Sequence, residues 1–332
     1  MPFSPYKILF FTLTLTGTFL AISSSSWVLA WIGLELNLMA FLPLISSKMN
    51  MLSSEAMLKY FLVQAIGSAT IIFSTTLSFI SPDSFLLLMS LALLLKTGSA
   101  PLHFWFPQIM EGMNWFHASM LMTIQKLAPM FLLSYMTSNM LCSYLIFTSA
   151  LCSALVGAIG GLNQTSLRKI LSFSSINHIS WMLFSMMINE TSWIIYFFLY
   201  TLITLSLTIL FFSLQAYQFS NLTNSSKSPI SKTISILSLF SLGGLPPFSG
   251  FLPKWIILQE LITNSFNITL LILLSCSLVT LYFYIRLSIS TLSLPTSRNM
   301  WESPNNKFSL LTSLSTSWNL FGLPLTSLLL IT

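Results

Sequence analysis

The chain has 332 residues, 55% of them hydrophobic and only 6% charged, with a mean hydropathy of +0.84. A water-soluble protein of this size could not cover its outside with so few charges, so lipid must be the covering solvent. The formal charge of +6 comes from 13 Lys and Arg set mostly singly between apolar blocks, a pattern that excludes a nucleic-acid-binding tract.

A bilayer crossing takes roughly 20 mostly apolar residues. In chain order, blocks near that length fall at 3–22, 25–46, 56–80, 84–106, 110–136, 140–161, 167–189, 192–217, 231–263, 266–290 and 309–331. They predict an all-α polytopic membrane protein with eleven transmembrane helices. The first block is too long for a secretory signal and has no Ala-x-Ala cleavage site, so it is expected to be retained. Connections are short and turn-like, as at Ser81-Pro82-Asp83, and the longest runs from about Thr291 to Phe308.

Lys7, Lys48, Arg168, Lys169, Lys227, Lys232, Arg298 and Lys307 all fall near the start of the first block, or in the connection after an even-numbered block or the first residues of the block that follows it, while the opposite loops carry Asp83 and Glu190. Basic residues are retained on the cytoplasmic or matrix side, so the N-terminus is expected there. An odd number of helices puts the C-terminus on the other side.

Two blocks are interrupted. The fourth reads Gly98-Ser99-Ala100-Pro101 and then Pro107, and the ninth reads Gly243-Gly244-Leu245-Pro246-Pro247 and then Pro253. Each is the fourth helix of a five-helix set, and sets of five enter the membrane from opposite sides. The pattern predicts two inverted repeats with a broken helix at matching places: residues 1–138 and 139–291, followed by a loop and last helix over 292–332. Two proline kinks that only suit packing would give the same spacing.

Four charges lie near the middle of their blocks and cannot easily be assigned to a loop: Glu35, Lys96, Lys126 and Lys254. Each costs at least roughly 2.5 to 3.5 kcal/mol at the bilayer centre, so they demand a reason. One ion pair would account for two of them and leave an excess of positive charge. Apolar surroundings penalise an ammonium, and two ammonium groups about 8 Å apart repel by about 2 kcal/mol at an effective dielectric near 20. Protonating one lysine can therefore unload its neighbour, which is the physical basis of a proton relay.

His178 lies mid-block in the second helix of the second set, where a relay role and a hydrogen-bonded packing role fit its Ser and Asn neighbours equally. His103, Lys59, Glu111, His117 and Arg286 lie closer to block ends, where snorkelling accounts for them. Cys142, Cys152 and Cys276 show no metal or disulfide spacing and read as small buried hydrophobes, and Gly157-x-x-x-Gly161 reads as a helix-packing pair. Phosphate-loop, dinucleotide, zinc-protease and iron–sulfur motifs are all absent, so the chain is expected to carry neither cofactor nor electrons by itself.

The segments Trp31-Ile-Gly-Leu-Glu35-Leu-Asn37, Lys96-Thr-Gly98-Ser-Ala100-Pro101-Leu-His103-Phe-Trp105-Phe-Pro107, Gln125-Lys126-Leu-Ala-Pro129 and Gly243-Gly-Leu-Pro-Pro247-Phe-Ser-Gly250-Phe-Leu-Pro253-Lys254-Trp255 resemble the chain 2 family of mitochondrial NADH:ubiquinone oxidoreductase, respiratory complex I. The likeness covers nearly the whole chain. It implies an antiporter-like subunit of the membrane arm in the mitochondrial inner membrane, beside other antiporter-like chains, with flavin, iron–sulfur clusters, NADH and ubiquinone held by other subunits. It assigns Glu35 to the carboxylate of the first repeat's second helix, Lys96 and Lys254 to the two broken helices, and Lys126 to the central lysine. Bacterial members carry three more N-terminal helices, so eleven helices match the animal form, and the Ser, Thr and Leu richness fits an invertebrate. A basic matrix face makes phospholipid contact, cardiolipin included, a further expectation.

Two other functions use the same residues. A stand-alone cation/proton antiporter would purify apart from flavin and iron–sulfur subunits. A structural spacer that moves nothing would have a dry interior around Lys126 and Glu35 locked to one lysine.

Overall fold

A computed structural model describes residues 5–46, 50–224, 229–293 and 317. Lys48, Lys227, Arg298, Lys307 and the expected eleventh helix at 309–331 therefore lie outside the described residues, apart from the single position 317. Regular structure among the described residues is helical, with one isolated antiparallel bridge between Ser166 and Gln218. Six of these helices are long and apolar enough to cross a membrane.

The first compact unit, Met1–Ser153, holds α1 (Pro5–Ser23), α2 (Trp27–Ile45), α3 (Met51–Leu77), α4 (Pro82–Thr97), α5 (Trp105–Gly112), α6 (Trp115–Met122), α7 (Ile124–Ser134) and the start of α8 (Met140–Gly160). The second, Ala154–Thr332, holds the rest of α8, then α9 (Leu167–Ile188), α10 (Glu190–Leu214), α11 (Phe219–Asn224), α12 (Pro229–Gly243), α13 (Phe251–Thr263) and α14 (Asn267–Ser293). The division falls inside α8, whereas the expected repeat boundary at 138/139 precedes that helix.

Local chemistry explains the helix ends. Ser26 caps α2 by accepting from the Leu29 N–H at 3.4 Å, and α4 opens on Pro82 with Asp83 in its first turn. Hydroxyls along the helices turn back onto carbonyls of the preceding turn, as Ser174 does on Leu171 and Ser180 on Asn177. A Ser-rich helix can thus stay internally satisfied where no water competes.

Close helix packing rests on small residues in both units. A methyl added at Gly17 on α1 would lie 2.8 Å from the Asn37 nitrogen on α2, and one at Gly157 on α8 would lie 2.6 Å from the Asn177 nitrogen on α9.

Both interruptions close alike. At the end of α4, Gly98 takes φ 76° and its N–H bonds to Leu94 and Leu95 carbonyls, with Ser99 N–H also on Leu94. At the end of α12, Gly244 takes φ 80° and bonds to Phe240 and Ser241, with Leu245 N–H also on Phe240. Glycine reaches this left-handed region without the penalty other residues meet, so it ends a helix and lets the chain turn.

The block expected at 84–106 stops as a helix at Thr97, and α5 forms as a separate piece. The block at 110–136 is divided at Thr123, whose hydroxyl bonds to the Ser119 carbonyl at 2.8 Å. Lys232, read as a loop signal, lies within α12 and is buried.

Candidate functional site

In the first unit, Lys96 stands in the last turn of α4 and Lys126 in the first turn of α7, 5% and 2% exposed. Snorkelling to a surface would leave far more of each side chain open. Gly67 on α3 makes room for the Lys96 stem, because a methyl there would lie 3.1 Å from Lys96 Cγ. The Lys126 ammonium sits 4.8 Å from the centre of the Phe106 ring, within cation–π range.

Both lysines line one cavity. It has room for about one water molecule. Tyr60, Gln64, Thr97 and Gln125 supply its remaining polar wall, and Trp105, Phe106 and Leu121 its apolar wall. The Tyr60 hydroxyl donates to Gln125 Oε1 at 3.0 Å, and Gln125 Nε2 donates to Asn37 Oδ1 at 2.9 Å. Three helices, α3, α7 and α2, are joined by these two bonds. Tyr60 packs edge-on against Phe41 at 5.3 Å, and the neighbouring Trp105 donates from Nε1 to the Leu95 carbonyl at 3.2 Å, beside Lys96.

Glu35 is partly buried on α2 and close enough for its charge to act on Lys96. It forms no ion pair among the described residues. Lys59 pairs with Glu55 at 2.7 Å on an exposed stretch of α3.

In the second unit, Lys254 stands in the first turn of α13 and is 7% exposed. Its ammonium donates to the Gly243 carbonyl at 2.7 Å, at the C-terminal end of α12, where carbonyls lack partners in their own helix. The stem crosses Gly244, where a methyl would lie 2.9 Å from Lys254 Cδ.

His178 sits on α9, whose surface is buried along nearly its whole length. Its Nδ1 hydrogen-bonds the Tyr196 hydroxyl at 2.7 Å, and its ring centre is 5.0 Å from that of Tyr200. Tyr284 on α14 is also buried and lies within electrostatic reach of Tyr196 and Tyr200.

Of the remaining candidates, His103 is buried in the turn after α4 with Nδ1 3.2 Å from the Pro101 carbonyl, and His117 is buried on α6 within electrostatic reach of Lys7. Arg286 is exposed and donates to the Leu162 carbonyl at 2.7 Å, while Glu111 is partly buried at the end of α5. Cys142 and Cys276 are buried as expected, but Cys152 is exposed on α8, because an apolar helix facing lipid gives a small residue no reason to turn inward. No three His, Cys, Asp or Glu side chains converge to hold a metal among the described residues.

Asn37 and Gln125 stand inside the motifs read from the sequence, but nothing there marked them as partners of each other. Tyr60 and Gln64 left no signal, since α3 carries no pattern that sets its inward face apart.

The family described as NADH:quinone oxidoreductase/Mrp antiporter, TM, matches residues 24–82 and 79–280. NADH-ubiquinone oxidoreductase chain 2 of Anopheles gambiae is 43% identical over 326 residues, covering 95% of this chain and 94% of the relative. The protein of the same name from Aedes aegypti is also 43% identical, over 90% of this chain and 89% of its own. Among solved structures, a chain of respiratory complex I from Thermus thermophilus with bound aureothin superposes with a TM-score of 0.80 at 22% identity, covering 96% of this chain and 78% of that one, a likeness of fold. With two buried lysines on a shared cavity, two broken helices and this identity over nearly its whole length, the chain belongs to the NADH-ubiquinone oxidoreductase chain 2 family of antiporter-like membrane proteins.

Proposed function

We propose that the chain is a core membrane-arm subunit of the mitochondrial NADH:ubiquinone oxidoreductase and translocates protons through its buried carboxylate and lysines, driven by quinone reduction elsewhere in the complex. One observation carries this reading: Lys96 and Lys126, both buried, line the same water-sized cavity. Two amines that share one water can exchange a proton through it, and each charge changes the other's hold on a proton. Protons are taken up near Lys96 or His178, held at Lys126 and released past Lys254. Glu35 tunes Lys96 according to the state of the neighbouring antiporter-like subunit.

The finer architecture belongs to the same proposal. The chain has eleven transmembrane helices in two inverted five-helix repeats plus a last helix, with the N-terminus in the matrix and the C-terminus in the intermembrane space. The repeat is supported by recurrence: one interval along the sequence separates Gly17 from Gly157, Asn37 from Asn177 and Tyr60 from Tyr200, and the glycine–asparagine contact is made in both places. Flavin, clusters and quinone sit on other subunits, and phospholipid, cardiolipin included, lines the matrix face.

Lys126→Met keeps the volume and removes the titratable amine. Coupled NADH oxidation in intact membranes should fall about a hundredfold or more, the range expected when a positioned proton-transfer group is lost. Undiminished pumping by a fully assembled complex would overturn the reading. Purification of the chain apart from flavin and iron–sulfur subunits would favour a free-standing antiporter instead.

A further inference from the structure

The wall of the lysine cavity contains uncharged groups whose arrangement is directional. Given proton translocation through this cavity, on which the inference rests, we propose that Asn37, Gln125 and Tyr60 are positioning residues for proton exchange between Lys96 and Lys126. Asn37 and Tyr60 are buried, 3% and 2% exposed, and Gln125 directly precedes Lys126 at the start of α7.

In the structure the chain of bonds runs in one direction. Asn37 Oδ1 accepts the Gln125 amide N–H, which turns Gln125 Oε1 toward Tyr60. The phenol proton is committed to that oxygen, so what Tyr60 offers the cavity is a lone pair. An acceptor on the wall favours an ammonium or a water that donates, and it orients that water's spare hydrogen away from the transfer path. The exchange is then balanced: an N–H bond of one lysine ammonium breaks as its proton joins the water, and an O–H bond of the same water breaks as its proton joins the amine of the other lysine. No water is consumed and nothing is oxidised.

Packing alone gives these three side chains little reason to be polar. A buried polar group costs free energy unless it is satisfied, and an apolar trio of the same size would fill the space between α2, α3 and α7 more cheaply. The bonds also hold the first turn of α7, where the helix is already divided at Thr123, against α2 and α3.

The test uses the whole complex in sealed native membranes. Tyr60→Phe keeps the ring against Phe41 and Trp105 and removes only the hydroxyl, while Gln125→Met keeps the length of the side chain and removes both bonds. The expected result for Tyr60→Phe is normal assembly on native electrophoresis, a coupled turnover lowered about two- to tenfold, and a displaced pH profile of that turnover. Gln125→Met should act in the same direction and at least as strongly. If Tyr60→Phe assembles with unchanged rate and pH profile, or fails to assemble at all, the bonds are structural and the proposal is overturned. Lys126→Met, run alongside, separates the two failures. Normal pumping by that variant removes the translocation reading itself, whereas its loss together with an unaffected Tyr60→Phe removes only the positioning role.

Discussion

In the first unit the third-helix phenol, Tyr60, is bonded to an amide beside a lysine; in the second, the phenol at the matching interval, Tyr200, stands against an imidazole and within reach of a third phenol on α14. The second helices diverge in the same way. Asn37 uses its side-chain oxygen to hold Gln125, whereas Asn177 is equally buried and its side-chain oxygen has no hydrogen-bond partner among the described residues. Broken-helix lysines differ as well, since Lys96 stands before its break and Lys254 stands after its own but reaches back to the Gly243 carbonyl. The two units thus carry different chemistries: two buried lysines lining a water-sized space in the first, and a histidine hydrogen-bonded to one buried phenol and packed near another in the second. A helical scaffold fixes where side chains meet, and the residue types at those positions then decide what can be exchanged.

The largest effect should come from the shared packing. Gly17→Val and Gly157→Val each push a branched side chain into the backbone of the next helix, so both should cost more than about 3 kcal/mol, the upper part of the overpacking range, and abolish assembly on native electrophoresis. Normal assembly of either variant would break the likeness between the two units.

A smaller and more telling difference is expected at the breaks. Gly98→Ala and Gly244→Ala both force a methyl into left-handed backbone, at about 1 to 3 kcal/mol each. At Gly98 the methyl meets the Trp105 ring at 3.2 Å, but at Gly244 it meets the Lys254 stem itself. Turnover per assembled complex should therefore fall further in Gly244→Ala than in Gly98→Ala, measured in the same membranes. Equal turnover would show that the seat of Lys254 on Gly243 does not matter to function.

The smallest effect concerns the histidine cluster. Tyr196→Phe deletes the 2.7 Å bond to His178 and should lower the thermal stability of the purified complex by about 1 to 2 kcal/mol. A variant as stable as the parent would mean that His178 finds another partner, and that the second unit is held by packing alone.

Several features of this molecule were decided in the sequence. Apolar runs of bilayer length specify helices because every backbone group must be satisfied within its own segment when no water is near, and helix forms in each of the ten expected blocks that fall within the described residues, interrupted in some of them. Gly98 and Gly244 announced the breaks because only glycine enters left-handed backbone cheaply, and Glu35, Lys96, Lys126 and Lys254 stood out because a charge among apolar residues is costly anywhere. The meeting of Lys96 with Lys126 across one cavity, the bonds from Tyr60 through Gln125 to Asn37, the division at Thr123, the burial of Lys232 and the exposure of Cys152 were settled only by tertiary structure. The reason is that lipid is as apolar as the protein interior. A soluble helix shows its inward face as an apolar stripe, but a helix apolar all round shows none, so which of its few polar side chains face one another is known only once the helices are packed.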